Sequence, residues 1–370
     1  MIRTRVAVAV LLALASCQSG STKLADTTTR AKTVSAVAID VNAKLATASE
    51  DVSFTSGGNA VPGTLVKPAS GSGPYAAVVL MAGSGPTDRD WNSPLLPAKN
   101  GSAKLLAEAL ASHGMIVLRF DKAAVGGNKT PIAANTTFDV YRDEGQAALA
   151  YLRARADVAP GALFVAGHSE GGIHATRVAL AEGGHIAGLV LLSAAGRSMM
   201  TVMMGQLESQ MRSAMPLQAD RELAALQKGF DDFLAGKAVD PKEVTSIAPL
   251  QQLVAAVVNP ASATLARGLF AFDPAAALAK VNVPVFIYNG MRDIQVDPEK
   301  DAKQLASVKP DATLVLAPEA DHVLKHETKS VAELRANLGM VQTNYNAEGR
   351  ELDPTTVSAL VEWLAKRTAP

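Results

Sequence analysis

The chain has 370 residues, 48% of them hydrophobic and 4% aromatic, and its 35 basic and 35 acidic residues cancel to zero net charge. That length and apolar share suffice for a large core, in one or two domains of roughly 150 residues each. Zero net charge with no basic stripe excludes a chain-wide grip on nucleic acid. Scarce aromatics argue against broad stacking surfaces, and a single cysteine leaves no intrachain disulfide and no cysteine-rich metal site.

Arg3 and Arg5 open the chain, and Val6–Ala15 is an apolar run shorter than the ~20 residues that a helix needs to cross a bilayer. Leu14-Ala15-Ser16-Cys17 follows, and a charged start, an apolar middle and small residues before a cut describe a signal peptide over residues 1–17. The cysteine at the cut resembles the lipobox of bacterial lipoproteins. The resemblance implies that Cys17 is lipidated and becomes the mature N-terminus, holding the protein in the bacterial cell envelope through two or more acyl chains. Gln18 at the next position resembles lipoproteins sent to the outer membrane of a Gram-negative cell. The alternative is an ordinary secretory signal. Residues 18–33, rich in Ser, Thr, Ala and Lys, read as a flexible tether.

From residue 34 the pattern is globular. Asp51-Val52-Ser53-Phe54-Thr55 alternates, Ser56-Gly57-Gly58-Asn59 is a turn and Gly63-Thr64-Leu65-Val66 resumes, which predicts a hairpin. Short apolar runs at Ala76–Met81, Ile116–Phe120, Leu163–Ala166, Leu189–Leu192, Val285–Tyr288 and Thr313–Leu316 have the length of buried strands. Helical patterns at Ala103–Ser112, Val140–Arg153, Ile173–Ala181, Pro298–Ser307 and Thr356–Lys366 alternate with or follow them. Such alternation predicts an α/β fold, a mostly parallel central sheet with helices on both faces. Residues 199–268 break the rhythm with three helical stretches, Val202–Met215, Asp220–Leu234 and Pro241–Val258, and no strand. They predict a helical cap inserted between a first core segment (34–198) and a second (269–370). No fixed-period repeat is present.

The chemistry concentrates at Gly167-His168-Ser169-Glu170-Gly171, a G-x-S-x-G set between a strand and a helix. A tight strand-to-helix turn exposes the serine hydroxyl and aims a helix N-terminus at developing negative charge. The bland reading is a glycine-rich turn with a capping serine. A serine needs a base to become a nucleophile. Among His113, His168, His174, His185, His322 and His326, His322 follows the last strand, at the same sheet edge as Ser169. His168 is expected to point away from Ser169, and His326 to be a solvated helix residue. Asp293 follows the strand before and is the expected partner orienting His322, whereas Asp297, just before Pro298, reads as a helix N-cap and Asp321 is expected to point elsewhere. Two N–H groups are needed for an oxyanion: the backbone of Glu170, and that of Ser84 in the glycine loop after the first long strand. Asp88, Arg89 and Asp90 in that loop read as bracing ion pairs or as a solvated charge cluster.

These residues resemble the α/β-hydrolase superfamily, specifically bacterial esterases near dienelactone hydrolases and serine aminopeptidase-like hydrolases. The matching pieces are Gly83-Ser84-Gly85-Pro86-Thr87-Asp88-Arg89-Asp90, Phe120-Asp121-Lys122, the G-x-S-x-G, Gly290-Met291-Arg292-Asp293 and His322-Val323-Leu324-Lys325, spanning about 75 to 330. The resemblance implies a Ser169–Asp293–His322 triad, no metal or cofactor, and a small ester as substrate. Two departures stand out. Asp121-Lys122-Ala123-Ala124-Val125-Gly126 lacks the Arg of the family's usual Asp-Lys-Arg-Gly-x-Gly, and Asp321 stands where Asn is common. Both are expected at pocket walls. Six of the eleven methionines fall between Met199 and Met215, either as core of the cap or as a pliable wall around an acyl chain. An amidase or exopeptidase using the same residues, and a binding lipoprotein retaining the fold, are the alternative functions.

Overall fold

The computed structural model describes residues 37–368; the signal segment, Cys17 and the whole tether lie outside the described residues. The hairpin forms from β1 (Thr47–Ser56) and β2 (Asn59–Pro68), its turn made by Gly57 and Gly58, both at positive φ (55° and 82°), as a tight two-residue hairpin turn requires. Then come β3 (Tyr75–Met81), α1 (Ser102–Ser112), β4 (Met115–Phe120), α2 (Asp139–Arg153), β5 (Val158–His168), α3 (Glu170–Glu182) and β6 (Gly188–Leu192). Five helices follow without a strand: α4 (Met199–Ala214), α5 (Ala219–Leu234), α6 (Pro241–Val244), α7 (Ala248–Val257) and α8 (Ala263–Ala271). The chain returns through α9 (Pro274–Leu278) to β7 (Val285–Gly290), α10 (Lys303–Val308), β8 (Thr313–Ala317), α11 (Val331–Ala336), α12 (Leu338–Tyr345) and α13 (Pro354–Thr368).

The eight strands form one sheet in the order β1-β2-β4-β3-β5-β6-β7-β8. β1 and β2 are antiparallel to each other and β2 to β4; every other pairing is parallel. Parallel strands are covered on both faces, so their apolar runs are continuous and alternate residues serve different layers. In β3, Ala77, Val79 and Met81 face a core completed by Ala148, Leu149 and Leu152 of α2 and Val178 of α3. Ala76, Val78 and Leu80 face the opposite core, with Leu106 and Leu110 of α1 and Leu360 and Trp363 of α13.

Helices α4 to α8 have a core of their own, in which Leu207, Leu226, Phe230 and Phe233 meet Leu253, Val254 and Phe270. Two details differ from the sequence pattern here. The expected single helix Pro241–Val258 is broken at Thr245, whose backbone is extended and whose hydroxyl donates to the buried Glu222 carboxylate at 2.6 Å; a local side-chain partner competes with the helix. The last helix, α8, runs on past residue 268 to Ala271. Likewise Pro298–Ser307 is not one uniform α-helix: Pro298–Ala302 is wound as a π turn capped by Asp297, which accepts from Glu299 and Lys300 N–H.

Candidate active site

The parallel strands all end at one edge, and that edge collects the expected residues. β5 ends at His168, in register with Leu192 of β6, and the chain turns at once into α3. Ser169 is the hinge, at φ 55° and ψ −125°, a conformation that costs a non-glycine residue on the order of 1–3 kcal/mol and persists where surrounding structure over-determines it. Here the surroundings are the two glycines: a Cβ on Gly167 would sit 2.1 Å from Gly171 O, and one on Gly171 would sit 2.4 Å from Met81 O. Only bare backbone lets strand, turn and helix pack this closely.

Asp293 lies in the loop after β7 and His322 in the loop after β8. Asp293 Oδ2 accepts from His322 Nδ1 at 2.8 Å and Oδ1 from Gln295 and Val296 N–H at 2.8 and 2.9 Å; both side chains are buried. Ser169 and His322 line the same cavity, of about 210 Å³. No hydrogen bond joins Ser169 Oγ to the His322 ring among the described residues; such bonds are often loose without substrate. Ser84 and Glu170 line the cavity too, and neither backbone N–H donates to a protein acceptor among the described residues. Gly83 brings the Ser84 loop against the turn: a Cβ on it would sit 3.2 Å from Ser169 Cβ.

Other expected residues sort clearly. Asp297 is an N-cap, as above. Asp321 points away from the cavity: it accepts from Val323 and Lys325 N–H, both at 3.0 Å, and pairs with Arg350 at 2.7 Å. Neither it nor Ala123 to Gly126 lines the cavity, so the two family departures do not sit at pocket walls. His326 is not in a helix; it bridges to Ala320 and faces Asp353 at 3.3 Å. Asp88, Arg89 and Asp90 brace the Ser84 loop. Arg89 donates to Asp121 Oδ2 at 2.8 Å through its side chain and to Oδ1 at 2.9 Å through its backbone; Asp90 pairs with Arg119; and Asp88 accepts from Asp90 and Asn92 N–H. Of the clustered methionines, Met199 and Met203 line the cavity; Met200 and Met211 are buried in the core of the helical block, and Met204 and Met215 pack against it.

His168 has a role that its place in the turn does not announce. Its ring turns under the site, stacked on Trp91 at 4.5 Å and 4.9 Å from the His322 ring, with Nε2 donating to His322 O at 2.7 Å. It thereby holds the backbone of the His322 loop. Trp91, Tyr345 and Asn346 also line the cavity. The two latter belong to the C-terminal segment around α12, which carries no motif and shows no pattern tying it to the site.

A buried polar cluster lies beneath Ser84 and Glu170. Lys122 Nζ donates to Gly83 O at 2.5 Å. Burial alone would push the Glu170 carboxyl up, yet the Lys122 charge and the His174 ring, 3.2 Å away, hold it down at about 2. Burial pushes Glu144 up to about 8 even though it accepts from Asn128 Nδ2 and Ala123 N–H. Burial lowers the Lys122 ammonium as well, with the Glu170 and Glu144 carboxylates opposing that shift.

Burial, and then repulsion from His322, pushes His168 down to about 3 from its ordinary 6.5. The folded chain leaves this ring neutral where the unfolded chain protonates it, so the unfolded state binds more protons between those two values. Stability should fall as pH drops through that window, by up to about 1.4 kcal/mol per pH unit for this one group. Urea unfolding from roughly pH 7 to pH 4 should show a shallower acid loss for His168→Gln than for the parent chain; identical slopes would mean that His168 takes up its proton in the fold.

The sequence model of the alpha/beta hydrolase family matches residues 78–334. Esterase EstD of Thermotoga maritima is 30% identical over 243 residues, covering 66% of this chain and 52% of that protein, so the chain spans about half the length of this relative. Among solved structures, one of two fungal esterases from Rhizomucor miehei superposes with a TM-score of 0.51 at 16% identity, over 89% of this chain and 86% of that one. With a sheet ordered around the Ser169 turn and a family match running from β3 to α11, the chain belongs to the alpha/beta hydrolase family.

Proposed function

We propose that this protein is a serine hydrolase of carboxylic esters that works through an acyl-enzyme. The single observation that carries the reading is the buried Asp293–His322 pair, 2.8 Å apart, opening onto the same cavity as a serine held on a strained turn. The kinship with an esterase over 66% of the chain supports it.

In this reading Ser169 Oγ attacks the ester carbonyl carbon while His322 Nε2 takes the hydroxyl proton. The tetrahedral oxyanion is held by the N–H groups of Ser84 and Glu170, at the N-terminus of α3. Asp293, accepting from Nδ1, keeps the imidazole in the tautomer with a free Nε2 and stabilises the cation that forms. The alkoxide leaves with the proton from His322. Water then attacks the acyl-enzyme, giving its proton to His322, and the acid departs as Ser169 recovers its hydrogen. Ser169→Ala should remove on the order of 10⁶ in kcat while the fold survives. Near-normal turnover of an activated ester by the folded variant, in a panel that includes aminoacyl anilides, would end this assignment.

Helices α4 to α8 act as a cap in this proposal, with Met199, Val202, Met203, Leu269 and Phe270 as the apolar wall for the acyl chain. Replacing Met199 and Met203 by Ala should shift the preference between long and short acyl esters by about tenfold, since one methylene in such a pocket is worth ~1–3 kcal/mol. Met204→Ala, at a residue off the cavity, is the control. A chain-length profile that responds equally to both changes would make the block a scaffold and not a selector.

We further propose that Cys17 is lipidated and anchors the enzyme in the cell envelope, on the strength of Leu14-Ala15-Ser16-Cys17 behind a short apolar run. Mass spectrometry of the mature N-terminus should find diacylglycerol on Cys17; cleavage elsewhere, or an unmodified Cys17, refutes it.

A further inference from the structure

The carbonyl of Gly83 and the N–H of Ser84 belong to one peptide unit. A trans peptide is planar and points these two groups in nearly opposite directions, so whatever holds the carbonyl also aims the N–H. Lys122 Nζ holds the carbonyl, at 2.5 Å. The peptide would otherwise be easy to turn over, because Gly83 precedes it and Gly85, at φ 74°, follows Ser84, and glycine imposes little torsional restraint.

Lys122 is an expensive device for a merely structural task. Its side chain is 6% exposed and lies 5.3 Å from the Tyr141 ring centroid. An apolar residue of similar volume at such a site is often no less stabilising than a buried ion pair. The Glu170 and Glu144 carboxylates both favour its charge, Glu170 the more strongly, and Glu170 is the residue whose backbone N–H is the other oxyanion donor. Glu170 is fixed in turn by His174. One donor's peptide is thus held by Lys122 through Gly83 O, and the other donor belongs to the residue whose carboxylate faces His174.

We infer that Lys122 is a positioning residue for catalysis: by holding Gly83 O it keeps the Ser84 N–H turned toward the oxyanion beside Ser169, with Glu170 supplying the second N–H. The inference rests on the serine-esterase reading above and deepens it. Lys122 touches no substrate; it acts through the Gly83–Ser84 peptide.

The test compares an activated ester with its thionoester, in which sulfur replaces the carbonyl oxygen. Sulfur accepts hydrogen bonds weakly, so the thionoester gains less from oxyanion donors. Lys122→Met in the full chain should lower kcat for the ester by about 10²- to 10³-fold, the cost of losing one such donor, with KM little changed. The loss for the thionoester should be smaller, so the ester-to-thionoester rate ratio contracts by about tenfold or more. Lys122→Gln, which keeps an N–H donor at shorter reach, should recover part of both, and it carries the same test if the Met variant does not fold. Equal losses on the two substrates, or an unchanged kcat, would overturn the role of Lys122 while leaving the esterase reading intact. Full turnover by Ser169→Ala would overturn that reading instead.

Discussion

The close approach of β5 and α3 at Gly167 and Gly171 is the constraint on which the rest of this structure depends. It leaves no room for a side chain between strand and helix, and it forces Ser169 into a left-handed turn that no serine would choose alone. A parallel sheet makes this possible. All the strands around the turn end at the same edge, so the loops after β3, β5, β7 and β8 converge there, each supplying one part: Ser84, Ser169, Asp293 and His322.

Electrostatics finishes what packing begins. Asp293 spends one oxygen on two backbone N–H groups and the other on His322, so the imidazole meets a carboxylate that is itself immobilised. On the other side, the Ser84 loop is braced by Arg89 on Asp121 and by Asp90 on Arg119, and Lys122 reaches across from the residue after Asp121. The Asp121-Lys122 step thus clamps the loop twice, once by the aspartate on Arg89 and once by the lysine on Gly83 O. Groups this deeply buried keep their charge only when paired: Lys122 and His174 hold Glu170 low, while burial raises Glu144 despite the Lys122 charge and its two hydrogen-bond donors.

The helical block has a separate logic. It has a core of its own, while Leu265 and Leu269 of α8 pack against Phe138 and Tyr141 of the α2 region and Ile173 of α3. Gln206 Nε2 donates to Gln295 O at 2.9 Å, joining α4 to the loop that carries Asp293.

From sequence alone, the alternation of short apolar runs with amphipathic stretches determined the sheet, its two covering layers and the position of the helical block. The G-x-S-x-G between strand and helix, followed by an acid and then a base after later strands, determined which residues meet. Periodicity and chain order carry that information because parallel strands deliver their following loops to one edge whatever the exact register. The tertiary structure alone decided the rest. It turned the His168 ring beneath His322 and onto Trp91, brought Tyr345 and Asn346 from a motif-free segment to the cavity, and gave Lys122 its carbonyl. Each of these is a contact between residues far apart in the chain, where no period runs. A buried lysine and a surface lysine are the same letter until packing removes water from one of them and leaves it a single acceptor to find.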